Sequence, residues 1–157
     1  MVFRVLEPGK AIETVKVAVT LLNKNANIYR FVAIDYNGYS KINFLRGAVY
    51  DEAGDLITTL GSSQINDMSA VSGGTFYSDE RVKFLNFPLQ RYPFTIEYVY
   101  EKEYSSLISY PLWSFQESPE ISVERSGLQL ILPGTMEMRY YEHNVKNEVD
   151  FAVSEGL

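Results

Sequence analysis

Side chains that could form or break covalent bonds are scarce in this chain. It contains no cysteine and one histidine, His143, so thiolate zinc sites and cysteine nucleophiles are excluded. His143 could pair with a serine, but no G-x-S-x-G turn or second orienting motif supports a hydrolase, and a surface position is expected. Gly73-Gly74 lacks the following lysine of a phosphate-binding loop. We therefore predict no catalytic residues and no cofactor.

Two acidic stretches could be mistaken for calcium-binding loops. One contains Asp51, Glu52 and Asp55, and the other is DYNGYS at residues 35–40. Neither has the 12-residue ligand spacing that an EF-hand loop requires. We predict turns rather than metal sites here, because Asp, Asn and Gly are the residues that turns favour.

Trp113, the single tryptophan of the chain, follows Tyr110-Pro111 and is a candidate binding residue together with Tyr110. An exposed indole could stack on a sugar ring or on an aromatic side chain of a peptide. Alternatively, the indole fills the core or seals its end, which we expect because tryptophan is highly buried on average. In that case the Trp113→Ala substitution should cost about 3–5 kcal/mol of stability.

The run Tyr77-Ser78-Asp79-Glu80-Arg81 is a second candidate. Tyr77, Asp79 and Arg81 could form an interaction loop that presents a guanidinium to a carboxylate of a partner. Alternatively, Asp79 or Ser78 bonds its own backbone where a loop enters a strand, and Arg81 pairs locally. We expect the local alternative, because exposed ion pairs are weak and common.

β-Strands must position these candidates. Arg91 to Tyr104 (RYPFTIEYVYEKEY) alternates with a period of two and carries Pro93 near its start, so a long central strand is predicted. Lys41–Tyr50 and Asp55–Leu60 are predicted to form a hairpin that Gly54 closes in a left-handed conformation. Apolar residues do not recur at helical spacing over any useful window.

The remaining segments predict short strands separated by turns. Glu13–Leu22 and Ile28–Ile34 are expected to form a hairpin around the polar cluster at 23–27, and Gly61–Thr75 an irregular loop or one helical turn. Further strands are expected at Arg81–Phe87, Glu120–Arg125, Leu128–Leu132 and Met136–His143. About nine short strands with regular turn signals predict an all-β fold, a β-sandwich of mostly antiparallel strands.

Length and charge limit the domain number and the partners. The 157 residues fit a single domain, 1–157, with 46% hydrophobic and 22% charged residues, as is usual for globular chains. A net charge of −6 without a basic stripe argues against nucleic acid. No apolar run approaches the roughly 18–20 residues of a membrane span. The first residues lack the features of a signal peptide.

Several segments together resemble a known family. They are LLNKNANIYRFVAIDYNGYSKI, GAVYDEAGDLI, FYSDERVKF, YPFTIEYVYE and YPLWSFQESP. Their order and spacing, from about Val15 to Pro133, are similar to those of the bacterial domain of unknown function that precedes the transglutaminase-like core in exported multidomain proteins. The most specific pieces are Tyr77-Ser78-Asp79 with Arg81, and Tyr110-Pro111 with Trp113.

This resemblance implies a β-sandwich beside a papain-like or transglutaminase-like module whose Cys, His and Asp perform the chemistry. It implies that the chain is a fragment of a longer periplasmic or secreted protein, with the linked transglutaminase-like domain as its partner. One hypothesis is a non-catalytic accessory domain that packs against, positions or recognises substrate for that module. The other is a self-standing carbohydrate-binding or peptide-binding module whose contact surface includes Tyr98, Tyr100, Tyr104 or Trp113.

Overall fold

Two β-sheets form the body of the protein in a computed structural model, which describes residues 1–70, 79–107, 110–116, 118–137 and 139. The strands are β1 (Val2–Glu7), β2 (Lys10–Leu21), β3 (Phe31–Tyr36), β4 (Ser40–Tyr50), β5 (Leu56–Leu60), β6 (Ile65–Ser69), β7 (Arg81–Asn86), β8 (Phe94–Tyr104) and β9 (Gln129–Ile131). Short 3-10 helices occupy Lys24–Arg30 and Ser62–Gln64. The predicted all-β fold of about nine strands is confirmed. No helix in these ranges is long and apolar enough to cross a membrane.

The strands are divided between a large sheet and a small one. The large sheet has six strands in the order β5-β4-β8-β2-β1-β9, and the small sheet has three in the order β3-β7-β6. Neighbouring strands are antiparallel except β1 and β9, which are parallel. The predicted central strand is confirmed, because β8 pairs along its length with β2 on one side and β4 on the other.

The main hydrophobic core lies between the two sheets. Phe94 and Ile96 of β8 are fully buried, as are Leu85 and Phe87 on the small-sheet side. The other buried residues of this core are Leu21, Val32, Ile42, Leu45, Val49 and Leu60. A smaller cluster forms around Phe3, Val5 and Ala11 near β9. The period-two alternation of each strand therefore supplies one apolar face to a core that both sheets share.

The predicted β4–β5 hairpin is confirmed. The Asp51 carboxylate accepts hydrogen bonds from the backbone N–H groups of Ala53 and Asp55, each at 2.9 Å. Gly54 has a φ of 87°, a backbone conformation that glycine adopts without steric cost. The acidic residues of this loop therefore act as turn residues, as predicted.

The predicted hairpin of Glu13–Leu22 with Ile28–Ile34 is wrong. Residues 24–30 form a 3-10 helix, capped by the Asn23 side chain, which accepts a hydrogen bond from the Asn25 N–H at 2.9 Å. This helix carries the chain from the large sheet to the small one, where β3 pairs with β7 instead of β2. Alternation indicates that a segment is a strand, but it does not identify the neighbouring strand.

Other strand predictions had mixed outcomes. Arg81–Phe87 and Leu128–Leu132 are confirmed as β7 and β9. Glu120–Arg125 is wrong, because those residues form turns and irregular structure. In the predicted segment Met136–His143, residues 138 and 140–143 lie outside the described residues, and the others are not in a strand.

Two strands were missed in the sequence. One is β1, which turns into β2 through Gly9 at a φ of 83°. The other is β6, which lies within the predicted loop Gly61–Thr75 just after the single helical turn that was expected there. The sequence of β6, INDMS, is mostly polar and exposed, since it forms an edge of the small sheet with β7 as its neighbour. An edge strand of this kind lacks the apolar alternation that reveals a buried strand.

Candidate binding cleft at the polar end of the sandwich

The inward face of β8 changes character along its length. Because side chains alternate in a strand, Tyr98, Tyr100, Lys102 and Tyr104 lie on the same face as the fully buried Ile96. The strand therefore begins in the apolar core and ends among polar groups. We call the cluster of Glu13, Tyr100, Lys102 and Tyr104 the polar end of the sandwich.

Glu13 is the centre of the polar end. Its side chain is 4% exposed. Its Oε1 atom accepts a hydrogen bond from the Tyr100 hydroxyl at 2.6 Å, and Oε2 accepts one from the Tyr104 hydroxyl at 2.5 Å. A buried carboxylate is stable only when its oxygens are hydrogen-bonded in this way. Burial, followed by the bond to Glu13, raises the pKa of both tyrosine hydroxyls above their ordinary value.

Sequence reasoning missed Glu13, although a signal was present. Glu13 is in phase with Val15, Val17 and Val19, the positions of β2 that pair across from the inward residues of β8. A glutamate at an inward position of a central strand needs buried hydrogen-bond donors. The tyrosines of β8 on the same face could supply those donors.

Lys102 pairs with Glu13 in the strand register and is held by the opposite sheet. Its Nζ donates a hydrogen bond to the backbone carbonyl of Asp35 in β3 at 2.7 Å. The ammonium also lies 5.0 Å from the centre of the Tyr104 ring, within the range of a cation–π contact. Burial lowers the pKa of Lys102, although the nearby charges of Glu13 and Asp35 oppose the shift.

Two adjoining cavities open at the polar end, and Lys102 and Asn37 line both. Each has a volume of about 310 Å³, at the lower limit of the roughly 300–1,000 Å³ found for ligand pockets. We call the two together the Lys102 cleft. The other lining residues are Asp35, Tyr36, Tyr39, Ser40, Glu80, Tyr104, Ser106 and Pro111.

The loop that joins β3 to β4 forms one wall of the cleft and is fixed by its own side chains. The Asn37 Oδ1 atom accepts hydrogen bonds from the Tyr39 N–H at 3.0 Å and from the Ser40 hydroxyl at 3.2 Å. The Ser40 Oγ atom in turn accepts one from the Asn37 N–H at 3.1 Å. Tyr39 is 54% exposed, so its ring is available at the surface of a rigid loop.

Asp79, one of the predicted site residues, braces this loop. Its Oδ2 atom accepts a hydrogen bond from the Gly38 N–H at 2.7 Å. A Cβ atom on Gly38 would lie 2.5 Å from that oxygen, so any other residue at this position would require the Asp79 carboxylate to shift. The expectation was that Asp79 or Ser78 bonds its own backbone. The bond seen for Asp79 is to a loop from another part of the fold, and Ser78 lies outside the described residues.

Arg81, another predicted site residue, is bound to neighbours in its own sheet. Its Nε donates to the Tyr36 hydroxyl at 2.8 Å, and its Nη2 donates to Asp67 Oδ1 at 2.8 Å. The Tyr36 hydroxyl donates to Asp67 Oδ2 at 2.7 Å. This hydrogen bond and the Arg81 guanidinium hold the pKa of Asp67 below its ordinary value. Arg81 therefore pairs within the domain, as the local alternative expected.

Trp113 and Tyr110 lie on a separate surface beside the cleft. Trp113 does not fill the core, since its side chain is 40% exposed, and the alternative that it seals the end of the core stays a prediction. Residues 110–116 belong to no strand. Tyr110 makes an edge contact with Phe3, with ring centres 5.8 Å apart.

Large apolar side chains are exposed along this stretch. They are Tyr110, Leu112, Trp113 and Phe115, and we call residues 110–115 the exposed apolar segment. The segment borders the cleft through Pro111.

The remaining sequence candidates contribute less to the cleft. Tyr104 lines it, whereas the hydroxyl of Tyr100 is used by Glu13, and Tyr98 packs against the main core. Tyr77 and His143 lie outside the described residues. Within the described ranges, no group of three or more His, Cys, Asp or Glu side chains is placed to hold a metal ion.

Comparison with known proteins assigns the chain to a family. Residues 7–155 match the profile described as a domain of unknown function with a solved structure, DUF3857. The chain belongs to the DUF3857 family. The expected relation to a domain of unknown function is therefore confirmed. No curated protein matches the chain.

Part of a much larger solved chain has a similar fold. The domain is similar to a protein from Parabacteroides distasonis ATCC 8503 whose crystal structure carries the description "putative protease", with a TM-score of 0.56 and 13% sequence identity. The match covers 66% of this chain and 21% of the other. At this identity the likeness concerns the fold alone.

Proposed function

We propose that this DUF3857 domain is a non-catalytic accessory unit of a larger exported protein whose chemistry is performed by a linked transglutaminase-like or protease-like module. The observation that carries the proposal is the exposed apolar segment. Leu112 is 99% exposed, and Tyr110 and Phe115 are each exposed by more than half. Soluble monomers rarely expose contiguous apolar side chains unless another surface covers them. A linked module is the partner that the proposal assigns to this segment.

The comparison of chain lengths supports the proposal. The chain spans 21% of the length of the solved protein that it resembles, so this fold also occurs as a minor part of a much larger chain. The proposal treats the present chain in the same way, as one domain of a longer protein. Fold likeness alone does not transfer an activity, and none is transferred here.

The chemistry of the polar end also fits a positioning role. Both carboxylate oxygens of Glu13 accept hydrogen bonds from tyrosines, and Lys102 donates to a backbone carbonyl. A general base needs a lone pair directed at a substrate proton, and the Glu13 oxygens are directed at Tyr100 and Tyr104. The Glu13 bonds therefore join β2 to β8 within the large sheet, and the Lys102 bond joins the large sheet to the small one.

The single tryptophan provides the test. The coding sequence beyond Leu157 should encode the linked module, which can be produced as a separate polypeptide and added to this domain. Because Trp113 is partly exposed, docking should shift its emission to shorter wavelength. A Leu112→Ser, Phe115→Ser variant should bind more weakly, whereas Leu56→Ser, which is 56% exposed on β5, should bind normally.

Two results from experiments on the purified proteins would contradict the accessory role. One is turnover of peptide or amide substrates by the isolated domain. The other is unchanged Trp113 emission, together with unchanged activity of the linked module after the domain is deleted. A module without a catalytic nucleophile downstream would also count against the proposal.

A second candidate function is a self-standing module that binds carbohydrate or peptide. It is favoured by the exposed Tyr39 ring beside the polar Lys102 cleft, since binding sites for such ligands combine an aromatic face with a few fixed polar groups. A glycan array and a peptide array, each probed with the labelled domain, test this candidate. A flat response across both arrays would remove it.

A further inference from the structure

Lys102 is an unusual residue for its place in the fold. It occupies an inward position of β8, two residues after Tyr100 and six after the fully buried Ile96. A partly desolvated ammonium is unfavourable unless it is paired or hydrogen-bonded. Its geometry nevertheless directs the charge into a space between the two sheets, where both cavities of the Lys102 cleft meet.

The Lys102 ammonium is held in place and can offer further N–H donors to a ligand. A lysine ammonium has three N–H donors. Within the described ranges, the hydrogen bond recorded for Nζ is the one to the Asp35 carbonyl at 2.7 Å. That bond and the Tyr104 ring at 5.0 Å fix the position of the charge. The remaining donors can therefore meet a ligand without a large rearrangement.

Asn37 adds a second set of oriented donors to the same space. Its Oδ1 atom is the acceptor for the Tyr39 N–H and the Ser40 hydroxyl. This arrangement fixes the carboxamide, so the Nδ2 group with its two N–H donors takes the opposite direction. Asn37 and Lys102 line both cavities. Both side chains that line the two cavities carry N–H donors, which favours a ligand rich in acceptor oxygens.

The surrounding charges restrict the kind of anion. In the cavity lined by Tyr39, Ser40 and Tyr104, Lys102 is the one charged side chain among the described residues, whereas Asp35 and Glu80 line the other cavity. The buried Glu13 is also close enough to influence the Lys102 ammonium. Because Glu13, Asp35 and Glu80 all lie near this single positive charge, a dianion would be repelled. The cavity that Asp35 and Glu80 do not line is therefore the one that suits a ligand with a single negative charge.

We propose that the Lys102 cleft binds the carboxylate of a small organic ligand, with Lys102 and Asn37 as the residues that contact it. The exposed ring of Tyr39 gives the rest of the ligand an apolar face. A peptide C terminus and a uronic acid both carry such a group. This inference goes beyond the accessory role and holds whether or not a catalytic module is attached.

The test is a titration of the ¹⁵N-labelled 157-residue chain followed by NMR. The peptide arm compares N-acetylglycine with N-acetylglycinamide, and the sugar arm compares glucuronate with glucose. Carboxylates should give saturable shifts at the amides of Asn37, Gly38 and Tyr39. The neutral analogues should bind at least about tenfold more weakly, because a hydrogen-bonded charge is lost. The arm with the stronger binding identifies the source of the carboxylate.

Two substitutions link the signal to the named groups. Lys102→Met removes the ammonium but keeps the apolar stem, and it should weaken carboxylate binding at least about tenfold. Asn37→Asp keeps an acceptor oxygen for the loop but replaces the Nδ2 donors with a charged oxygen, so it should also weaken binding. Lys16→Met is the matched control, since Lys16 is an exposed lysine paired with Glu97, and it should leave the affinity unchanged.

The stability of each variant separates loss of binding from loss of fold. Lys102→Met should keep a cooperative urea unfolding transition and the parent's amide shifts away from the cleft, so that weaker binding is not caused by loss of the fold. Equal binding of the acid and the amide would overturn the proposal, and so would wild-type affinity in both Lys102→Met and Asn37→Asp. Inorganic phosphate that binds more tightly than acetate would overturn the assignment of a single negative charge.

Discussion

The two ends of the space between the sheets are built on the same strand but contain different chemistry. At the start of β8, Phe94 and Ile96 are fully buried against Leu85 and Phe87 of the small sheet. At its end, Tyr100 and Tyr104 bond a buried carboxylate, and Lys102 bonds a carbonyl of the opposite sheet. The first end is a closed core and the second borders a cleft. Period-two alternation thus decides which face of the sheet a side chain occupies. The polarity of the side chains on that face decides whether it forms a closed core or borders a cleft.

The largest expected effect is at the apolar end. Phe94→Ala should lower the free energy of unfolding by about 3–5 kcal/mol, because a buried ring is lost and a cavity remains. Thr95→Ala is the neighbouring control, since Thr95 lies on the opposite face and bonds Thr20 at an exposed position, and it should change stability by less than about 1 kcal/mol. Urea denaturation followed by circular dichroism measures both. Similar costs for the two variants would contradict the assigned faces.

The next effect is at the polar end. Glu13→Ala should cost about 2–4 kcal/mol, because two part-buried tyrosine hydroxyls lose their acceptor. The triple variant Glu13→Leu, Tyr100→Phe, Tyr104→Phe should recover most of that loss, since no polar group is left without a partner. If the triple variant is as unstable as Glu13→Ala, packing rather than hydrogen bonding governs this end.

A smaller effect tests how tightly the apolar end is filled. A Cβ atom on Gly47 would lie 2.5 Å from the ring of Phe87, which is fully buried. Gly47→Ala should therefore cost about 1–3 kcal/mol through overpacking. Gly61→Ala is the control, because nothing lies within 4 Å of its added Cβ. Differential scanning calorimetry of the two variants measures the contrast, and equal melting temperatures would show that the apolar end has spare volume.

The smallest effect is a dependence on pH that belongs to the polar end alone. The pKa values of Tyr100 and Tyr104 are raised above the ordinary value of 10.0 in the folded protein. The unfolded chain therefore loses these protons first, so their contribution to stability is complete below pH 10 and declines as the pH rises above it. Tyr100→Phe, Tyr104→Phe should show a shallower decline between about pH 9 and 11 than the parent. Lys102 is kept in both the parent and the double variant. Its lowered pKa changes the stability in the opposite direction over this pH range, and it must contribute equally to both measurements.

Much of the fold could be predicted because alternation and turn chemistry are local. The β8 strand, the β4–β5 hairpin with Gly54, and β7 follow from residues close together in the chain. The Glu13–Leu22 hairpin prediction failed because strand pairing is set by distant residues, and a 3-10 helix at 24–30 moves the chain to the other sheet. The polar edge strand β6 had no apolar face to reveal it.

The cleft was less accessible to sequence reasoning. Glu13, Asn37 and Lys102 come from three separate strands or loops, and only the register of β2, β4 and β8 brings them together. Asp79 was recognised as a candidate, but its acceptor role toward Gly38 depends on a contact between residues 41 positions apart. Trp113 was expected to fill the core or to seal its end, because tryptophan is highly buried on average, yet its side chain is 40% exposed on a segment that belongs to neither sheet. The sequence shows which side chains are present, but only the tertiary structure shows which of them are in contact.

The position of the Lys102 cleft gives it a mechanical property. One wall comes from the large sheet through Lys102 and Tyr104, and the other comes from the small sheet through Asp35 and Tyr36. A molecule seated there would touch both layers and oppose their separation. Amide hydrogen exchange in β3 and β8 should therefore slow when a ligand binds in the cleft, because the bound ligand reduces local opening of both sheets.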